Sequence, residues 1–506
     1  MTNMDNDHIP VYSTKSIIQK SETEGIQNQD KTGTKANKQK PPPNEKKRTP
    51  DMGVRPGAQE EYSKWKQSFW KRNGVPGPEP TPFLGNLGQI RKQAIVSPPA
   101  EQKDMLTNAV DEHWKFMRNT LTATFSSGKM RLTSPAVAAC CDKLVENIKE
   151  QSKDGKEVIE IKHIFGCFTM DVIASTAFGI DVNSQKDPNN EFVKQAKKAF
   201  DISFTTPFVM LLIIFPNLAS LWNTLSNWKV TKNAFTDVFN FFQKVTLSVM
   251  EERKSGNDQN RKDFMQVMVN SHNEAVDKED KENMVDYKEG DSTWRNRGLT
   301  VDEITANSFL FFLAGYDTTA NTMSFMAYNL AMNPECQEKC IEEVDKVLGK
   351  DKPNYDNVLK LQYLDNCMNE TLRMYGPASV LNRHVQEDCK IGGYNVPKNS
   401  ILSIPTYAMH HDPEYWPEPE KFDPDRFSPE QKAKRHPYAW LPFGQGPRNC
   451  IGMRLAYLEA KGAIASILQR YKLVKCEETE DPVIIDVSTG LLRAKNGIKL
   501  KVVPRA

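Results

Sequence analysis

The feature that most constrains this 506-residue chain is a short loop near its C-terminal end, Phe443–Cys450, with the sequence FGQGPRNC. The glycines Gly444 and Gly446 and the proline between Gly446 and Arg448 predict a tight turn whose backbone can approach another group closely. Apolar residues recur at helical spacing after the loop, so Cys450 precedes a predicted helix. At a helix N-terminus, the dipole and free backbone N–H groups favour a thiolate, the form needed for a metal-bound sulfur.

Taken alone, Cys450 fits a buried structural thiol better than a metal ligand, because that is the commoner state of a single cysteine. Arg448, two residues earlier, could reach an anionic group beside the sulfur. The nine cysteines show no CxxC or paired spacing, which favours a reducing compartment and mostly free thiols. A formal net charge of +2 gives no indication of a nucleic-acid partner.

The N-terminal part of the chain differs in composition from the remainder. Residues 1–61 are polar and predict a disordered tail. They contain no signal peptide and no apolar run of about 18 residues, so we expect no membrane anchor. Residues 62–87 combine a basic amphipathic stretch, suited to peripheral membrane contact, with a proline-rich connector. The folded domain is expected over 88–506.

Two internal segments also carry expectations. The apolar run enclosed by Pro207 and Pro216 is too short to span a bilayer, and it fits either a core segment or a contact with the membrane surface. The stretch from Lys254 to Gly298 is highly charged, which predicts a loop that is partly disordered.

A long apolar helix is predicted over Leu299–Met332, with Thr300 as its N-cap. It contains the sequence AGYDT, in which the small residues Ala314 and Gly315 leave room for a flat cofactor. The hydroxyl of Thr318 can bond the carbonyl one turn back and loosen the helix, and Asp317 beside it offers a proton route. Without other motifs, helix–helix packing would be the better explanation of such a sequence.

Charged and polar residues at helical spacing add further candidates. Glu370 and Arg373 share a helix face, as do Trp114 and Arg118. The guanidinium of Arg383 is suited to a carboxylate. The neighbouring histidines at 410 and 411 are more typical of surface or satisfied core positions than of metal ligands.

Together these motifs resemble those of the cytochromes P450, and the resemblance extends from about Gly74 to the C-terminus. It implies that the Cys450 thiolate is the axial ligand of haem iron and that Asp317 and Thr318 deliver protons. It also implies a structural charge cluster made of Glu370, Arg373 and Arg426. The other residues that the resemblance assigns to cofactor binding are Trp114, Arg118, Ala314, Gly315, Arg383, Phe443, Gly444, Gly446 and Arg448.

The resemblance implies a mainly α fold with small β-sheets around haem b, and it is strongest for the animal microsomal branch that includes drug-oxidising enzymes and thromboxane synthase. Only Gly88–His113 separates the proline-rich connector from Trp114, where the family has a longer segment. We therefore expect the N-terminal β and helix portion to be truncated. Later strands would then lack partners.

The function implied by the resemblance is a monooxygenase that inserts one oxygen atom from O2 into a lipophilic small molecule. Its electrons would come from NADPH-cytochrome P450 reductase, with cytochrome b5 as a second candidate donor. The implied location is the surface of the endoplasmic reticulum membrane, with the cytosol as the alternative. Two rival functions stay open: rearrangement of a peroxide without a reductase, and a non-catalytic or unstable haem-binding variant.

Overall fold

The computed structural model describes residues 103–187, 189–200, 234–254, 263–279, 297–487 and 490–505. The predicted tail, the amphipathic stretch, the connector and the apolar run between Pro207 and Pro216 all lie outside these residues. The chain divides into a larger unit, 94–382, 403–442 and 450–506, and a smaller unit that includes 383–402 and 443–449.

The described residues are mainly helical. The helices, in chain order, are α1 Asp111–Thr122, α2 Ser127–Ser152, α3 Ile161–Ile173, α4 Glu191–Phe200, α5 Ala234–Lys254, α6 Phe264–Glu279, α7 Val301–Met332, α8 Pro334–Val347, α9 Tyr355–Val358, α10 Gln362–Tyr375, α11 Thr406–His410, α12 Pro429–Lys434 and α13 Met453–Leu468. The strands are β1 Val158–Glu160, β2 Leu381–His384, β3 Cys389–Ile391, β4 Tyr394–Val396, β5 Ile401–Ile404, β6 Tyr471–Val474, β7 Ile485–Asp486, β8 Arg493–Ala494 and β9 Lys499–Pro504. The predicted fold class is confirmed.

Helix α7 is the central element of the larger unit. It begins with a complete capping box, in which the Thr300 hydroxyl accepts from the Glu303 N–H and the Glu303 carboxylate accepts from the Thr300 N–H. Both bonds satisfy donors that a helix start leaves unpaired. The predicted helix and its cap are thus confirmed, with the first helical residue at Val301. Helix α7 packs against α3, α5, α10 and α13, which explains why 24 of its 32 residues are buried.

Every strand that the structure describes pairs with another described strand. Strands β1, β9 and β6 form an antiparallel sheet, in which Ile159 lies opposite Leu500 and Leu473 lies opposite Val502. The remaining strands form three two-stranded sheets, β2 with β5, β3 with β4 and β7 with β8. The expectation that later strands lack partners is therefore wrong for these residues, because short strands pair with one another.

The expected loop over Lys254–Gly298 is also partly wrong, since it contains the helix α6. Phe264, Met265, Met268 and Val269 lie on one face and are almost fully buried. Their spacing is the apolar stripe of an amphipathic helix, which the many charged residues around it obscured. Residues 255–262 and 280–296 of this stretch lie outside the described part.

Candidate haem site

The loop that precedes Cys450 is a tight turn that depends on its glycines. Gly444 and Gly446 have φ angles of 68° and 82°, in the left-handed region that other residues seldom adopt. The Asn449 N–H donates to the Gly446 carbonyl at 3.0 Å and closes the turn. Phe443 is half-buried, whereas Arg448 is exposed. The predicted turn is confirmed.

Cys450 lies two residues before Gly452, the N-cap of α13. The N–H groups of Gly452 and Met453 hydrogen-bond the sulfur and lower the pKa of Cys450, and so does the charge of Arg118. Desolvation by the surrounding protein is the larger effect and raises the pKa. The helix N-terminus therefore favours the thiolate as predicted, but it does not outweigh burial. A bound metal cation would, because a coordinating thiol is deprotonated outright.

Cys450 is exposed although the protein around it desolvates the sulfur. The sulfur is therefore accessible to a ligand even though many protein atoms surround it. Among the residues that the structure describes, no group of three or more His, Cys, Asp and Glu is placed to hold a metal ion. Cys450 by itself offers one soft sulfur donor, which suits an iron that a macrocycle already holds.

Helix α1 brings a positive charge near this sulfur. Trp114 and Arg118 are half-buried and lie one turn apart on α1, as their spacing predicted. Burial lowers the pKa of Arg118, and the electrostatic effect of Cys450 raises it. Two residues that are 332 positions apart in the sequence, Arg118 and Cys450, are thus close enough to affect each other's ionisation.

Arg383 lies on β2 in the smaller unit, together with the cysteine loop. Its Nη2 is 3.5 Å from the carbonyl oxygen of Gln445, so the structure brings this predicted arginine to the loop. A guanidinium carries five N–H donors in a planar fork, which matches the two oxygens of a carboxylate. Arg383 is therefore suited to an acidic group held beside the loop.

On α7, an accessible strip interrupts an otherwise buried surface. Ala314 is exposed, and Gly315 and Thr318 are half-buried. The Thr318 hydroxyl donates to the Ala314 carbonyl at 2.5 Å, as predicted for a hydroxyl one turn later. Close packing also favours a glycine at position 315, because a Cβ there would lie 2.5 Å from Cδ1 of Ile173. The strip could accommodate one face of a flat cofactor.

Asp317 points away from this strip and towards α3. Its Oδ1 pairs with Nζ of Lys162 at 3.1 Å, and its Oδ2 accepts from Nδ2 of Asn321 at 3.0 Å. The Asp317 side chain is 8% exposed and that of Lys162 is 23% exposed, so the lysine connects a buried carboxylate with solvent. Sequence reasoning missed Lys162, because its 155-residue separation from Asp317 gives no local pattern.

A second buried acid lies behind the same part of α7. Glu459 on α13 is almost fully buried, and the Thr319 side chain hydrogen-bonds it. Burial raises the pKa of Glu459 well above its usual value, and the hydrogen bond from Thr319 opposes this shift. Sequence reasoning missed this residue too, since an acid on an apolar helix face carries no sign of its partner.

The predicted charge cluster is present in the larger unit. Arg373 donates to both oxygens of Glu370 at 2.8 Å, and Arg426 Nε lies 3.3 Å from Glu370 Oε1. Neither Glu370 nor Arg373 has an exposed side chain. Arg373 also donates to the His410 carbonyl at 2.9 Å. The predicted grouping of these three charges is therefore confirmed as geometry.

The histidines at 410 and 411 have local partners. His410 is buried, and its Nε2 accepts from the Leu441 N–H at 2.9 Å. Desolvation and the charge of Arg373 lower the pKa of His410 to about 3. His411 Nδ1 lies 2.8 Å from the Tyr407 carbonyl oxygen. His410 is thus the satisfied core histidine that the sequence favoured over a metal ligand.

Comparison with known proteins decides the family. The family model described as cytochrome P450 matches residues 92–502, most of the chain. The chain belongs to the cytochrome P450 family. It is therefore a haem-thiolate oxidoreductase of the monooxygenase class. The residues present fit such a cofactor, since Cys450 is an accessible soft ligand, Arg118 adds a positive charge nearby and α7 has an accessible strip of small residues.

Individual relatives agree with this assignment over most of their length. This P450 is 36% identical to cytochrome P450 3A11 of Mus musculus over 494 residues, covering 88% of this chain and 94% of the relative. It is 36% identical to cytochrome P450 3A1 of Rattus norvegicus over 487 residues, covering 86% and 92%. It is 34% identical to cytochrome P450 3A29 of Sus scrofa over 494 residues, covering 88% and 94%.

The alignment lengths also bear on the predicted internal shortening. The alignment with the mouse relative is 494 positions long, although only 88% of this 506-residue P450 takes part in it. The alignment is therefore longer than the aligned part of this chain, and the extra positions are gaps in this chain. Their position before Trp114 stays a prediction. Within the described residues, no helix has both the length and the apolar character needed to cross a bilayer.

Proposed function

We propose that this P450 inserts one atom of O2 into a lipophilic organic substrate, using electrons that NADPH supplies through a flavoprotein reductase. The observation that supports this most is the accessible Cys450 sulfur at the start of α13, with Arg118 beside it. Cytochrome b5 is a second candidate electron donor. We place the enzyme at the surface of the endoplasmic reticulum membrane, by resemblance to the microsomal branch.

The proposed cofactor is haem b, with Cys450 as the ligand of its iron. Trp114, Arg118, Arg383 and Arg448 would hold its acidic edge, because indole and guanidinium N–H groups donate to carboxylates. The loop residues that shape the binding surface would be Phe443, Gly444 and Gly446, with Ala314 and Gly315 on the α7 side. When bound, a thiolate-ligated haem supplies the O–O cleavage and oxygen-transfer chemistry.

Proton delivery is assigned to Thr318 and Asp317. The Thr318 hydroxyl holds its proton in a bond to the Ala314 carbonyl, from which rotation about one torsion would redirect it. The Asp317 carboxylate is adjacent in sequence and pairs with Lys162, whose side chain is partly exposed. Solvent beside Lys162 can therefore supply a proton to this carboxylate, which passes the proton on and returns to its ionised, paired form.

The reaction is tested with purified holoprotein, the reductase, NADPH and isotopically labelled O2. We expect one labelled oxygen atom in each molecule of a lipophilic product and the other in water. Turnover of an organic peroxide without NADPH, together with no label in any product, would favour the peroxide rearrangement. Folded holoprotein that consumes neither NADPH nor peroxide would favour the non-catalytic variant.

A further inference from the structure

Two buried thiols on neighbouring helices are in contact, far in sequence from the cysteine loop. Cys340 lies on α8 and Cys367 lies on α10, and both side chains are fully buried. Their sulfur atoms are 3.5 Å apart. All nine cysteines of the protein are free thiols. The proposed oxygenation uses neither Cys340 nor Cys367.

The contact is close to what a covalent bond would need. A disulfide has an S–S distance of about 2.05 Å, and its two Cα atoms are typically about 5–6 Å apart. The two sulfur atoms already point towards each other across packed helices, so a bond requires them to approach by about 1.5 Å. Rotation of both side chains, with a small approach of α8 to α10, would provide this distance.

The surroundings limit which reagents can reach the pair. Burial raises the pKa of Cys367 well above that of a free thiol, so little reactive thiolate forms. Cys336, one turn before Cys340 on α8, is 7% exposed and hydrogen-bonds the side chain of Tyr363 on α10. All three thiols are therefore buried in the contact between α8 and α10. A reagent reaches them only when this contact opens locally, which favours a small, neutral reagent and makes the reaction slow.

We propose that Cys340 and Cys367 form a reversible dithiol–disulfide site, oxidised by a small neutral two-electron oxidant such as a peroxide. Each thiol loses its hydrogen and an S–S bond forms, while the O–O bond of the peroxide breaks and takes up two protons and two electrons. A small dithiol reverses the step by exchange. This inference does not rest on the proposed oxygenation.

A disulfide between Cys340 and Cys367 would restrict the movement of the helix that carries the charge cluster. Cys367 precedes Glu370 by three residues on α10, so a bond to Cys340 would fix the helix that carries Glu370 and Arg373 to α8. The bond closes a loop of 27 residues, which restricts the unfolded chain. We expect the oxidised protein to unfold at a temperature a few degrees higher than the reduced protein.

The test treats the intact holoprotein with diamide, a small neutral thiol oxidant whose N=N bond is reduced to a hydrazine, in the absence of NADPH. Peptide mapping without reduction should find Cys340 linked to Cys367, and dithiothreitol should reverse the link. Cys340→Ala and Cys367→Ala should each abolish it. The control Cys140→Ala, a buried cysteine on α2, should retain it.

Peptide mapping of the unmutated protein keeps the test valid if an alanine variant folds poorly. Unmodified Cys340 and Cys367 in diamide-treated folded protein, with all nine thiols titrating after denaturation, would overturn the proposal. Links from Cys340 or Cys367 to other cysteines, in place of the bond between them, would overturn it as well. An oxidised protein that unfolds at a lower temperature than the reduced protein would contradict the stabilising role.

Discussion

Two carboxylates of this P450 are paired with basic side chains, and their surroundings differ in one respect. Glu370 and its partner Arg373 are completely sealed from solvent, and the backbone carbonyls of His410 and Pro419 accept further hydrogen bonds from Arg373. Asp317 is almost as buried, but its partner Lys162 is partly exposed and its sequence neighbour Thr318 borders an accessible strip. A sealed ion pair can only stabilise structure, whereas one that opens to solvent can also exchange protons.

The largest effect is expected from breaking the sealed pair. Arg373→Met leaves Glu370 buried with only Arg426 as a charged partner in this cluster, which should lower the free energy of unfolding by about 3–5 kcal/mol. The loss is measured by denaturant unfolding. The control is Lys472→Met, which removes an exposed pair with Glu338 and should cost at most about 1 kcal/mol. Equal losses of stability in the two variants would show that the sealed pair contributes no more than an exposed pair.

The free energy of unfolding should also depend on pH, because His410 is buried beside the sealed pair. Its pKa is about 3 in the folded protein and about 6.5 when unfolded, so between these values the unfolded state binds more protons. Stability is therefore complete above pH 6.5 and falls as the pH is lowered. Between pH 7 and pH 5 the loss should be about 2 kcal/mol. The measurement is urea unfolding at both pH values.

The matched variant for that measurement is His410→Gln, whose amide oxygen can still accept from the Leu441 N–H. It should be less stable at pH 7 and should lose about 2 kcal/mol less than the unmutated protein on going to pH 5. An unchanged difference between the two pH values would show that His410 is not the responsible group.

At the pair of Asp317 and Lys162, which opens to solvent, the expected effect is on catalysis rather than on stability. Thr318→Ala removes the hydroxyl beside the accessible strip and should leave haem bound, while product formed per NADPH consumed falls roughly tenfold. The control is Thr322→Ala, one turn further along α7, whose buried hydroxyl bonds the Thr318 carbonyl. If the coupling of NADPH use to product stays unchanged in Thr318→Ala, its assignment to proton delivery is wrong.

The smallest effect is expected for Lys162→Met. Asp317 keeps Asn321 as a donor, so stability should fall by only about 1 kcal/mol, whereas coupling should fall measurably at constant haem content. The same product and NADPH assays apply. Lys143→Met is the control, because its partner Asp181 is exposed and distant in sequence from α7. A loss of stability without any change in coupling would make Lys162 purely structural.

What the sequence could predict depended on whether the signal was local. The capping box of Thr300 and Glu303, the glycines of the turn before Cys450 and the spacing of Glu370 and Arg373 all lie within a few residues, so their geometry could be predicted. Helix α6 was missed because its short apolar stripe lies within a charged stretch.

Contacts between distant segments were beyond that reasoning. Lys162 meets Asp317, Glu459 meets Thr319, and Cys340 meets Cys367 only because α3, α7, α8, α10 and α13 pack together. No pattern in the sequence of one helix encodes which residue of another will face it. The direction of the pKa shift of Cys450 could not be predicted for the same reason. The sequence predicted the helix N-terminus, which lowers the pKa, but not the desolvation by distant segments, which raises it more.

The central claim is that the sulfur of Cys450 is the iron ligand, and the absorption spectrum of the reduced, carbon-monoxide-bound protein tests it most directly. The unmutated protein should show the strongly red-shifted Soret band of thiolate-ligated haem, and Cys450→Ala should lose that band together with NADPH-driven oxygenation. A red-shifted band that persists in Cys450→Ala would contradict the assignment.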